Sequence, residues 1–546
     1  MTGLKTFASC TIALLAPLSL TAQAPFVSKV WVADLGNGMY KNPILYTDYS
    51  DPDVCRVGDD YYMVASSFNA IPGLPILHSK DLVNWTLAGH AITAQKPEAE
   101  FAKPQHGNGV WAPSIRYHNG EFYIFYGDPD YGIYMVKAKQ AGGVWDEATL
   151  VKPGKGLIDP CPLWDEDGKV YLVHAFAGSR AGIKSLLAVC ELSADAKSVI
   201  RESVIVYDGH ELDPTIEGPK FYIRNGYYYI LSPAGGVATG WQVALRARNV
   251  YGPYTRKIVL ATGETAVNGP HQGGWVDTPT GEDWFIHFQD IGAYGRVVHL
   301  QPMTWVDDWP VIGWDTDGDG CGSPVATYKK PATGPPQPIA TPAESDEFDT
   351  VGQGRQWQWH ANPMPWWAFT HAERGVLRLY SVPIPENYRN LWDVPNLLLQ
   401  KFPAPHFTAT AKMAFRSHDK LTGERAGLVV MGMDYALLSL ESTDSELILS
   451  QSECLQADRG YAEKINASVM LSSPIVYLRV KVEQDNDGTA ICTFSYSADE
   501  ERYLPLGRTF KAREGKWIGA KVGLFCTRPQ PLNDGGWLEV DWFRIE

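Results

Sequence analysis

The sequence predicts an all-β protein, with an N-terminal five-bladed β-propeller followed by a C-terminal β-sandwich. Three observations predict it. A hairpin unit recurs five times between residues 51 and 290. A Pro-rich stretch at residues 327–345 then interrupts the chain. Beyond it, short alternating apolar segments continue with no helical period.

The first 24 residues, MTGLKTFASCTIALLAPLSLTAQA, have the layout of a secretory leader. One cation, Lys5, precedes a short apolar run, and Ala22-Gln23-Ala24 offers the small residues of a cleavage site. Pro17 and the lack of a flanking stop argue against an anchor. No other stretch is long and apolar enough to span a bilayer. The mature chain is therefore expected to be exported, to the periplasm or the extracellular space.

Residues 25–326 are assigned to the propeller. Five stretches share one layout. DPDVCRVGDDYYMVASSF starts at Asp51, WAPSIRYHNGEFYIFYGD at Trp111, and DPCPLWDEDGKVYLVHAF at Asp159. EGPKFYIRNGYYYILSPA starts at Glu217, and HQGGWVDTPTGEDWFIHFQD at His271. Each has a leading residue, a strand, a polar turn and an aromatic-rich strand. The turns are Asp59-Asp60, Asn119-Gly120, Asp167-Gly168, Asn225-Gly226 and Thr280-Gly281. Asn-Gly between apolar runs is a strong hairpin signal. The repeat of about 50–60 residues suits one four-stranded blade with its loops.

Inner strands of a propeller converge on its axis, so the five leading residues should meet at one end: Asp51, Trp111, Asp159, Glu217 and His271. Three of them are acids. Alone, Asp-Pro reads as a turn and Glu-Gly-Pro as a loop. A strand that opens on a buried glutamate is costly unless something compensates it. The coincidence of acids at one point of three blades sets them apart from ordinary turn residues.

Residues 327–345, TYKKPATGPPQPIATPAES, read as a stiff linker. Residues 346–546 read as the sandwich. Its strands are expected at 376–382, 396–402, 407–415, 427–439, 446–450, 476–483, 491–497, 521–526 and 537–545. The alternation in VYLRVKVEQ and WLEVDWFRI marks antiparallel strands.

A formal net charge of −15 argues against nucleic acid and anionic lipid as main partners. A neutral glycan is indifferent to it. The 19 Trp and 27 Tyr could stack on sugar faces as well as fill β-cores. Without the leader seven scattered cysteines remain and no C-x-x-C pair, so neither a disulfide framework nor a zinc pattern is present. They read as small buried residues, with a single bridge left open. Asp315, Asp317 and Asp319, in WDTDGDGCGSP, have the spacing of an EF-hand start. Position twelve falls on Ala326, so a plain Asp/Gly turn is the preferred reading.

Three converging carboxyls suit glycoside hydrolysis, which needs a protonated acid and an ionised partner with separated pKa values. A third carboxylate would raise the acid's pKa by repulsion. At this point the chain resembles glycoside hydrolase family 43, in the branch with a C-terminal concanavalin-like jelly roll. The likeness is carried by NPILYTDYSDPDVCRVGDDYYMVASSF, ILHSKDLVNW, GVWAPSIRYHNGEFYIFYGD, IDPCPLWDEDGKVYLVHAF, EGPKFYIRNGYYYILSPAGG and NGPHQGGW.

The resemblance implies an inverting mechanism, with Asp51 as general base, Glu217 as general acid and Asp159 tuning the pKa of Glu217. It further implies substrate contacts from Trp111, Arg296 and Phe68. His271 is the axis histidine, a substrate-side residue or a weak calcium ligand. A propeller-core role competes for Trp111 and Phe68, and a structural role for Arg296. No cofactor is required, and a structural Ca²⁺ is allowed. The implied substrates are hemicellulose oligosaccharides (arabinoxylan, xylan or xyloglucan) bearing terminal α-L-arabinofuranosyl or β-D-xylosyl groups. The loop TRPQPLNDGGW, after Cys526, is expected at the pocket mouth. Two alternatives stay open: a non-catalytic carbohydrate-binding propeller, and a glycosidase of the same fold acting on galactan or arabinan. A fructan-directed enzyme is disfavoured because no Asn-Asp-Pro start is present.

Overall fold

Asn119 and Gly120 take φ of 48° and 83°, and Asn225 and Gly226 take 50° and 69°. Positive φ at both central residues is what a two-residue type I′ turn requires. These turns join Trp111–His118 to Glu121–Asp128 and Lys220–Arg224 to Tyr227–Ala234. The computed structural model in which they are seen describes residues 25–442, 446–529 and 531–546. The leader expected at 1–24 lies outside the described residues.

Five four-stranded antiparallel sheets form, each in chain order. Their inner strands are Asp53–Val57, Trp111–His118, Leu157–Trp164, Lys220–Arg224 and His271–Asp277. Neighbouring blades touch in order, and the fifth closes onto the first. Met39–Lys41 pairs with Thr327–Lys329 where the two ends of the ring meet. Apolar layers fill the gaps between blades: Val64 and Ile76 meet Ile115 and Ile124, and Val173 and Val189 meet Phe221 and Ile230. Each such buried side chain contributes about 1.5–3 kcal/mol.

Three inner strands are irregular at the axis. Register shifts fall between Trp111 and Ser114, Ile158 and Cys161, and His271 and Gly273. Bulges of this kind re-aim side chains. Asp51 and Asp159 take φ of 54° and 56°, although each precedes a proline. A non-glycine residue held there costs about 1–3 kcal/mol, and such strain gathers at functional sites.

The second half is a sandwich of two eight-stranded sheets. Leu428, Leu438 and Leu524 of one sheet face a core shared with Ala411, Leu478 and Val540 of the other. That core runs on into the propeller through Tyr46, Ala293, Tyr294 and Val297. Among the described residues no helix is long and apolar enough to cross a membrane.

Three expectations are corrected. The single strand expected at 427–439 is a hairpin, Arg425–Met431 and Tyr435–Ser442. Gly432 makes the turn, since a Cβ there would lie 1.9 Å from the carbonyl oxygen of Arg513. Lys464–Leu471 is an additional edge strand: Ile465, Ala467, Val469 and Leu471 alternate along it, with Val469 and Leu471 packed on the sandwich core, a period that the sequence reading passed over. The stretch expected as a linker is a pinned strap. Its start forms the strand Thr327–Lys329, and Lys330 reaches Asp34 at 2.6 Å and Asp81 at 2.8 Å. Glu344 accepts from Ser28 Oγ at 2.8 Å. Pro content signals stiffness but not the buried carboxylates that hold Lys330.

The seven described cysteines are all free. Asp315 accepts from Gly318 N at 2.8 Å and Gly320 N at 3.0 Å, and Asp319 accepts from Cys321 N at 2.7 Å. These acids thus fold their own turn.

Candidate active site

The loop before blade 1 places Asp51 at the axis. Ser66 Oγ donates to Asp51 Oδ2 at 2.6 Å, and Ser50 Oγ at 3.0 Å. Arg296 arrives from blade 5. Its Nη1 lies 3.0 Å from Asp51 Oδ1 and 3.1 Å from Oδ2, and donates to Ser50 Oγ at 2.8 Å. The guanidinium lies over the Phe288 ring at 4.9 Å and faces Asp290 at 3.9 Å.

The bulge in blade 3 turns Asp159 toward blade 4, where Gly218 N donates to its Oδ2 at 2.7 Å. The residue before that glycine is Glu217. Its backbone is fixed by Pro233 O, which accepts from Glu217 N at 3.1 Å, and by Ser232 Oγ, which donates to its carbonyl. Its side chain keeps 34% exposure and opens to the pocket. Burial, then the charges on Asp159 and Asp51, push the Glu217 carboxyl well above the usual range. Burial also pushes Asp159 up, with Asp51 adding and the Gly218 N–H opposing. A carboxylic acid held neutral near pH 7 is what proton donation needs.

One small cavity of about 100 Å³ is lined by Asp51, Asp159, Glu217 and Arg296, with Phe68, Trp111, Ala112, Ile158, Val237, Gln272 and Trp517. The structure therefore brings six of the seven sequence-derived candidates onto this cavity. The seventh, His271, lies behind Glu217, with Nε2 3.6 Å from Oε1. Burial, then Arg296, lowers its imidazole to about 3, so it is neutral.

Trp517 comes from the sandwich and stands 6.3 Å from the Trp111 ring. Its own loop, not the expected TRPQPLNDGGW, forms the mouth. The reason lies in two anchors. Gly519 N donates to Asp48 Oδ2 at 2.9 Å and Ala520 N to Ala293 O at 2.7 Å, which dock the Trp517 loop on the propeller. The expected loop is tied to the sandwich instead: Gly536 N donates to Glu424 at 2.7 Å, and Arg528 with Asn533–Gly536 borders a separate cleft beside Trp366. Gln272 and Trp517 were missed by sequence reasoning. Gln272 directly follows a repeat head, which was the available signal. Trp517 sits in EGKWIG, which carries none.

The family model for glycosyl hydrolases family 43 matches residues 40–310, and the β-xylosidase C-terminal concanavalin A-like model matches 345–546. A Xylanibacter ruminicola protein carrying a provisional β-xylosidase name is 39% identical, over 92% of this chain and 88% of its own. The chain belongs to glycoside hydrolase family 43. It is thus a glycosidase, and the site above lies on its family 43 propeller. The non-reducing-end α-L-arabinofuranosidase of Bacteroides ovatus is 32% identical, over 76% of this chain and 78% of its own. The solved family 43 protein BlXynB of Bacillus licheniformis superposes with a TM-score of 0.77 at 26% identity, covering 93% of this chain and 99% of that one.

Proposed function

We propose that this family 43 enzyme is an exo-acting, inverting glycosidase that releases terminal α-L-arabinofuranosyl or β-D-xylosyl groups from hemicellulose oligosaccharides. The observation that carries the reading is three carboxyls on one small cavity in three different environments. Asp51 is an acceptor for Arg296, Ser50 and Ser66, and takes the proton of an attacking water. Glu217, raised by burial and by its acidic neighbours, gives its proton to the glycosidic oxygen. Asp159 adds repulsion that keeps Glu217 protonated. Arg296 holds Asp51 in place, and Phe68, Trp111 and Trp517 supply apolar walls for one sugar ring. The small cavity, of about 100 Å³, supports action at a chain end. The relatives' names, one β-xylosidase and one arabinofuranosidase, support the two sugars.

His271 would add a neutral imidazole nitrogen, and both of its ring nitrogens are buried with no hydrogen-bond partner among the described residues. Calcium prefers 6–8 oxygen ligands. The nearest carboxylates are the reacting ones, so the donor set does not fit a calcium ion, and no step here uses a metal. The leader and its cleavage site support an exported enzyme, which N-terminal sequencing of the protein recovered from its host would test.

The deciding experiment is hydrolysis of paired aryl α-L-arabinofuranoside and β-D-xyloside by wild type and Glu217→Gln. The expected result is activity on at least one, reduced about 10²–10⁴-fold in the variant. NMR of the first-formed sugar anomer should show inversion. Wild-type activity on neither glycoside, or full activity in Glu217→Gln, would sink the reading.

A further inference from the structure

One polar side chain on the catalytic cavity has no role in the chemistry above. Gln272 is only 3% exposed and lines the cavity with Asp51, Asp159 and Glu217. Its amide Nε2 is fully buried, with no hydrogen-bond partner among the described residues. Other buried glutamines around the axis spend theirs. Gln242 Nε2 donates to Pro270 O at 3.2 Å, Gln301 Nε2 meets His287 at 3.1 Å, and Gln95 Nε2 donates to Phe68 O at 2.7 Å.

The unpaired amide is also held in place. The bulge between His271 and Gly273 turns this residue to the cavity. Gly218, whose N–H holds Asp159, leaves it room: a Cβ there would lie 2.6 Å from Gln272 Cγ and Cδ and 2.7 Å from Nε2. Gly218 has φ 58°, so a side chain at that position is strained twice over. The backbone beside the catalytic acids is shaped around a carboxamide whose Nε2 has no hydrogen-bond partner among the described residues.

A buried amide left unpaired is destabilising. Such a group persists where a ligand completes it. A carboxamide is neutral, donates and accepts, and so matches a hydroxyl rather than a charged group. Resting on the glycosidase reading, we propose that Gln272 donates a hydrogen bond from Nε2 to a hydroxyl of the sugar held against Asp51 and Glu217. The position of that hydroxyl then discriminates between pentose rings.

The test uses the full chain carrying Glu217→Gln, whose slowed turnover lets binding be read apart from catalysis. Calorimetry measures xylobiose and L-arabinose with and without Gln272→Met, which keeps the length and removes the donor. Binding of at least one sugar should weaken about 10- to 100-fold. The thermal midpoint should hold or rise, because an unpaired polar group has been replaced by an apolar one. In the otherwise wild-type chain, Gln272→Met should change the ratio of kcat/KM between the two aryl glycosides. Unchanged binding of both sugars with an unchanged ratio overturns the proposal, as does failure of Glu217→Gln alone to bind either sugar. Should Gln272→Met not fold, Gln272→Glu decides: retained binding overturns the proposal, and lost binding at a native midpoint supports it. A wild type silent on both glycosides overturns the hydrolase reading instead, and leaves the binding result to judge Gln272.

Discussion

Glu217 shows how much one side chain depends on its neighbours. Burial raises its carboxyl first, and the Asp159 charge adds to that. Acting as an acid, it must be protonated, so kcat/KM should fall as pH rises through its elevated pKa. Asp159→Asn removes one of the charges that raise it. Its pKa then drops, and the alkaline limb of the pH–kcat/KM profile should move to lower pH; an unmoved limb would separate Asp159 from this role. The convergence of Asp51, Asp159 and Glu217 was legible in the sequence because each heads a repeat. Their exact footing was not. Asp51 precedes its strand, Glu217 stands three residues before its own, and Asp159 lies inside one. Bulges and left-handed backbone reconcile the three, and neither follows a period that sequence reading can detect.

Among the elements, the hairpins were the readable part. Asn-Gly turns dictate backbone handedness through their own conformational preference, so blades 2 and 4 could be drawn from residues alone. The Trp517 loop could not. Trp517 takes φ 68° and stays 47% exposed, neither of which a core pattern forecasts. Its approach needs Gly107, where a Cβ would lie 2.7 Å from Lys516 and 3.1 Å from the Trp517 ring. Trp517→Ala should therefore open the mouth while leaving the carboxyls in place. Steady-state kinetics on xylobiose should show KM raised about 3- to 10-fold, with a smaller change in kcat. A collapse of kcat at constant KM would mean the loop acts on the chemistry instead.

For the whole molecule, the seam between propeller and sandwich carries unusual charges. Burial pushes the Lys521 ammonium down to about 7, with Lys401 adding to it, and pushes Lys401 down to about 8. Lys401 donates to the Asp48 carbonyl, and Lys521 reaches Gln358 at 3.5 Å. In the unfolded chain a lysine titrates near about 10.4. Between those values the unfolded chain binds more protons than the fold, so stability rises with pH across that window. The raised carboxyls of Glu217 and Asp159 act in the opposite sense over the lower part of this window, so the lysine contribution is read as a difference: from about pH 7 to about pH 9 the wild-type thermal midpoint should gain on that of Lys521→Met. That variant should also be more stable at neutral pH, by on the order of 1 kcal/mol. A parallel pair of curves would remove Lys521 from the seam's energetics. Asp48 marks the same boundary from the other side. One carboxylate accepts from Arg296 N at 3.0 Å and from Gly519 N at 2.9 Å, so the arginine that grips the base and the loop that bears the mouth tryptophan share an anchor. The two modules are therefore not interchangeable cartridges. A sandwich borrowed from another relative would have to match Asp48 at the level of single backbone atoms, and the unit that evolution or an engineer can shuffle is the pair.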